Sequence, residues 1–250
     1  MLTWALLSGV LTGLALGVFG SGGGIVVVPA LIYLLHLPPK EAIAMGLGII
    51  AITAVLSAWD HWRAGNVDLR AAATFGPLGV AGTYAGARLG ATVPVTFQLG
   101  LFAVVMYVAA YRMLRKKAGN HQNTERSDRA RVILLIVSGS GVGLLAGVVG
   151  VGGGFLIVPA MVLLAGIPMK RAIGTSLAVV SLNSLSGFVG YLGSVTVNYS
   201  VMGAFAGVTV LSSLTGARLA RRWSGEALRQ GFAWGLMIVA TYIIIKSVVL

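Results

Sequence analysis

Shifting the chain against itself by 130 residues lays GSGGGIVVVPA at 20–30 over GVGGGFLIVPA at 150–160, and without a gap lays GARL at 86–89 over GARL at 216–219. Between 13–31 and 143–161, 11 of 19 positions are identical. Pro38 and Lys40 recur as Pro168 and Lys170. A chain duplicated this way folds into two copies of one unit, so any architecture must satisfy both copies at once. The polar stretch RKKAGNHQNTERSDRAR separates them. The expected organisation is a first repeat at 1–114, a linker at 115–131 and a second repeat at 132–250.

The unit is not a soluble one. Of 250 residues, 57% are hydrophobic and 10% charged, against about 25% charged in a soluble domain. Apolar runs recur from end to end, so membrane spans are the fold itself and the lipid bilayer is its solvent. Each half reads as five apolar segments: about 2–19, 25–37, 42–59, 70–91 and 97–114, then 132–149, 155–167, 172–192, 197–217 and 228–245. The second segment of each half reaches only ~20 Å as a helix, against a ~30 Å hydrocarbon core, so it either crosses incompletely or re-enters. The first 20 residues lack the Lys or Arg that opens a signal peptide and are repeated later, which marks them as a retained helix. With no cysteine there is no disulfide framework and no thiolate metal site; no cofactor or metal is expected.

A net charge of +12 would suggest nucleic acid in a soluble protein. Here its distribution reports topology, and no nucleic-acid partner is expected. Lys and Arg gather on the cytoplasmic side, which places the linker inside. Five segments per half then put Arg63, Arg70, Lys170, Arg171 and the Arg218 to Arg229 cluster inside, and both termini outside. A re-entrant pair of segments leaves three crossings, still an odd number. The expected fold is therefore an all-α polytopic membrane protein of two inverted-topology repeats, with broken or re-entrant helices at the GxGGG motifs. That is an architecture of secondary transporters, which hold substrate near the midplane.

Gly9, Gly13 and Gly17, with Gly139, Gly143 and Gly147, are spaced for close helix packing. The triplets Gly22–Gly24 and Gly152–Gly154 are different, because consecutive glycines each cost about 1 kcal/mol in a helix interior. They mark breaks, tolerated at membrane depth only in protein or beside a polar cavity. A short helix would restart after each break, with Pro29 and Pro159 in or just after its first turn. Its free N–H groups and the positive end of its dipole suit an anion. Candidate substrate-binding residues are Gly20, Ser21, Gly22, Gly23 and Gly24, and Gly150, Val151, Gly152, Gly153 and Gly154, the two ends facing one central site. No Lys and Ser/Thr follow the glycines, so a nucleotide-phosphate loop is set aside.

Thr175, Ser176 and Asn183 lie inside an apolar run and could hold oxyanion oxygens, although most such hydroxyls bond their own backbone. Arg88 and Arg218, equivalent in the repeat, either snorkel to the interface or draw anions to a gate. Asp60 and His61, beside Trp59 and Trp62, read as an interfacial belt. All six carboxylates fall in or next to predicted loops, so there is no intramembrane acid for a cation relay. Nor is there a nucleophile and base pair for an enzyme. An anion leaving a cell that is negative inside gains about 2.3 kcal/mol per charge per 100 mV.

Two copies of G-x-G-G-G-x-x-x-V-P-A, with GARL late in each half, resemble the TauE/SafE family of sulfite exporters across the whole chain. Gly20, Gly22, Gly23, Gly24 and Pro29, with Gly150, Gly152, Gly153, Gly154 and Pro159, fit the family pattern, and Ser21 and Val151 fill its variable slot. The resemblance implies a multi-pass protein of the bacterial or archaeal inner membrane that moves sulfite, sulfoacetate or related sulfur-containing anions outward. The competing expectations are a passive anion channel of the same fold and a non-transporting assembly protein. Small-residue faces also allow a homodimer.

Overall fold

The computed structural model describes residues 2–20, 23–115, 128–150, 153–163 and 166–249. Ser21, Gly22, Val151, Gly152 and linker residues 116–127 lie outside the described residues. Among those described, the chain forms ten helices and no strand: α1 (Leu2–Phe19), α2 (Gly23–Tyr33), α3 (Pro39–Arg63), α4 (Leu69–Thr92), α5 (Val95–Arg115), α6 (Asp128–Val149), α7 (Gly154–Leu163), α8 (Met169–Tyr191), α9 (Tyr199–Ala220) and α10 (Gly225–Val249).

Helix boundaries follow local chemistry. Asp68 accepts from the amides of Arg70 and Ala71 to start α4, and Asn198 accepts from that of Val201 to start α9, satisfying donors that a helix start leaves free. Pro38 and Pro39 open α3, where a missing N–H is harmless. Pro29 and Pro159 are instead inside α2 and α7. They are the seventh and sixth residues of their helices, just after the first turn.

Among the described residues five helices, α3, α5, α8, α9 and α10, are long and apolar enough to cross a membrane. At 11 and 10 residues, α2 and α7 reach only ~16 Å, about half the hydrocarbon thickness. Helices α3 and α8 form the centre, where their most apolar stretches are 72% and 67% buried against 39–44% for α5, α9 and α10. Leu211, Ile238 and Trp234 project outward from the outer helices. The central pair is antiparallel: a Cβ on Gly174, early in α8, would lie 3.1 Å from that of His61, late in α3, while one on Gly187 would lie 3.3 Å from Leu47.

The halves interlock. Helix α1 lies along α9 and α6 along α4, while α3 meets α8 and α5 meets α10. A Cβ on Gly17 would stand 2.0 Å from the carbonyl oxygen of Ser213, and one on Gly147 would stand 2.1 Å from that of Thr83. These seams have no room for any side chain, which is why the spacing-four glycines occur in both copies.

Candidate functional site

Both glycine motifs turn on a left-handed residue, Gly20 at φ +76° and Gly150 at φ +77°. Their amides close the preceding helices on the carbonyls of Leu16 and Ala146. Such φ values disfavour any residue with a Cβ, and space forbids one as well. A Cβ on Gly20 would come within 2.7 Å of Ile173 on α8, and one on Gly150 within 1.9 Å of Ile43 on α3. Gly153 is left-handed too, at φ +76°. A Cβ there would stand 2.6 Å from Ala146, so α7 starts about a turn inside the end of α6.

The expectation of one shared centre concerns the starts of α2 and α7, two helices that touch each other, whereas the turns that precede them are set apart. Ile43 and His61 are 18 positions apart on α3, ~27 Å at 1.5 Å per residue. His61 lies beside Gly174, next to Ile173. The turns at Gly20 and Gly150 are thus at opposite ends of the α3 and α8 pair.

The remaining candidates are dispersed. The Ser176 hydroxyl donates to the Ile173 carbonyl and, at 3.5 Å, reaches that of Gly20, so Ser176 is beside a glycine turn. Thr175 donates to Arg171 and accepts from the Asp68 amide, tying α8 to the start of α4. Asn183 is buried with its carbonyl oxygen unpartnered. Its amide faces α4, where a Cβ on Gly79 would meet it at 2.6 Å. Arg88 and Arg218 are exposed, opposite the buried stripes of α4 and α9. Arg88 lies 5.6 Å over the Tyr84 ring and donates to its hydroxyl at 3.2 Å.

Two clusters that residue type alone did not single out sit at the ends of the central pair, one beyond each glycine turn. Beyond Gly150, Gln98 at the start of α5 donates to the Tyr191 hydroxyl at 3.2 Å and to the carbonyls of Gly90 and Val148. Lys40 donates to Gly90, Val93 and the Gln98 side chain. Tyr191 is fully buried, so this end is closed by a hydrogen-bonded plug. Beyond Gly20, the residues 130 positions away are His61 for Tyr191, Leu228 for Gln98 and Lys170 for Lys40. Leu228 cannot bond to His61, and Lys170 reaches one carbonyl, that of Arg221, at 3.3 Å. In place of a plug there is a small, open pocket of about 20 Å³. His61, expected in an interfacial belt, is 4% exposed and lines that pocket. The signal was in the repeat offset, which pairs His61 with Tyr191. Among the described residues no cluster of His and carboxylates could hold a metal ion.

The helical composition, the apolar spans and the lipid-facing outer surface define a multi-pass helical membrane protein. Residues 5–243 match the sulfite exporter TauE/SafE family, and the chain belongs to that family. It is 30% identical over 248 residues to a probable membrane transporter protein of Xylella fastidiosa, covering 96% of this chain and 94% of that one. A probable membrane transporter protein of Haemophilus influenzae is also 30% identical, over 96% of this chain and 97% of its own length. One from the archaeon Methanocaldococcus jannaschii is 28% identical over 80% and 75%. No solved structure matches.

Proposed function

We propose that the protein is a secondary transporter that exports small sulfur-containing anions, sulfite, sulfoacetate or related organosulfonates, by alternating access. In this reading 1–114 and 132–250 are inverted repeats about an axis in the membrane plane, the linker is cytoplasmic and both termini are outside. The end carrying His61, Arg63, Arg70, Lys170 and Arg221 faces the cytoplasm, following the bias of Lys and Arg. The substrate-binding groups are the glycine motifs with Ser176 beside Gly20. An anion arriving from the basic end meets the Gly20 turn and the start of α2, whose N–H groups and dipole favour negative charge. The Gly150 turn and α7 offer the same to the opposite side.

One observation carries this reading: reciprocal elements with unequal ends. A plug beyond one glycine turn and a pocket beyond the other are what a two-gate mechanism has in either resting state, and a passive channel needs both ends open. In proteoliposomes, sulfite or sulfoacetate is expected to leave faster than from empty vesicles, driven outward by an inside-negative potential. Equal leakage across a panel of such anions would sink the proposal. Conductance far above carrier rates, without acceleration by substrate on the far side, would replace it with a channel.

A further inference from the structure

We infer that the pocket beyond the Gly20 turn is a small-oxyanion site in its own right, held by the His61 imidazole and the Lys170 ammonium, and that it is an antechamber to the glycine motif. Both ring nitrogens of His61 are buried and neither has a hydrogen-bond partner, an expensive arrangement for a polar ring. An imidazole carries at least one N–H in either protonation state, so it can donate to an anion once a turn of the ring brings a buried nitrogen to the pocket it lines. Lys170 lines the same pocket. It spends one hydrogen bond on the Arg221 carbonyl, whereas Lys40 at the equivalent place makes three.

Charge favours the same ligand. Arg221 pairs with Asp60 at 2.6 Å, so these two cancel and Lys170 leaves the pocket one positive charge in excess. Asn66 and Leu228 complete the lining. Ile173 forms the inner wall and is the residue against which the Gly20 turn packs. The pocket and the glycine turn thus share a residue. The inference takes from the transport reading only its choice of probe, a sulfur oxyanion.

The test uses the full-length protein in detergent with histidine ring labels, titrated with sulfite and separately with sulfate. The chain has three histidines, and the His61 signal is the one lost in His61→Gln. At least one of the two anions should shift that signal saturably and leave His36 unmoved, and Lys170→Met should weaken the effect about tenfold, the loss of one hydrogen bond to a charged group. His61→Gln, which keeps an N–H donor, should bind within a few-fold of wild type by calorimetry. A His61 signal that neither anion moves, or one that responds equally in Lys170→Met, overturns the inference. Efflux is a separate readout: binding here without export breaks the transport reading and leaves the pocket standing, while export without binding does the reverse.

Discussion

The seams and the ends of the molecule are built from the same duplicated sequence, yet they have been treated differently. Along the seams the copies match: Gly17 against Ser213 is mirrored by Gly147 against Thr83, each with a helix backbone where a Cβ would go. At the ends they diverge, Tyr191 and Gln98 on one side answering to His61 and Leu228 on the other. Where backbone packs on backbone at these two positions only glycine fits, and both copies keep it. A gate has no such constraint, so the same scaffold supports a plug at one end and a pocket at the other.

The largest expected effect breaks the seam. Gly17→Leu or Gly147→Leu must force two helices apart, beyond the ~3 kcal/mol of ordinary overpacking, and should abolish folded protein in detergent size-exclusion. Gly207→Leu, where nothing stands within 4 Å of a Cβ, should leave the elution profile intact. Equal tolerance at Gly17 and Gly207 would contradict the interlock.

A smaller effect sharpens the contrast between the ends. The chain has no cysteine, so Ile173→Cys and Ile43→Cys can be compared directly with a charged thiol reagent. The pocket-side thiol is expected to react about tenfold faster, equivalent to ~1.4 kcal/mol less opening free energy. Adding Tyr191→His and Gln98→Leu to Ile43→Cys should remove most of that difference; an unchanged ratio would mean that the plug does not seal. The smallest effect is expected at Arg88→Gln and Arg218→Gln. Both side chains are exposed, so each should change stability by no more than about 0.5 kcal/mol, read as an unchanged melting temperature.

Much of the secondary structure was legible because apolar runs and polar caps mark spans directly. The run at 97–114 became Val95–Arg115, and that at 197–217 became Tyr199–Ala220. Which helix meets which was not legible, since the glycine stripe of α1 advertises a close neighbour without naming α9. The glycine turns illustrate a second limit. A repeat reveals that Gly20 and Gly150 are equivalent but not how far each lies from the line relating them, and ~27 Å of helix separates their levels. His61 was misplaced for a third reason. Trp59, Asp60 and Trp62 around it are interfacial types, and only the start of α8 folding over it makes it a buried ring.

The partnership of α1 with α9 constrains how the chain is made. Gly13 packs against Thr209, 196 positions later in the chain. At a synthesis rate of ~5–20 residues per second, α1 waits some 10–40 s for its mate to leave the ribosome. Throughout that interval its bare glycine face is covered only by lipid or by a helper. The two copies are thus not modules joined by a tether, because neither can be finished until the other has been translated nearly to its end.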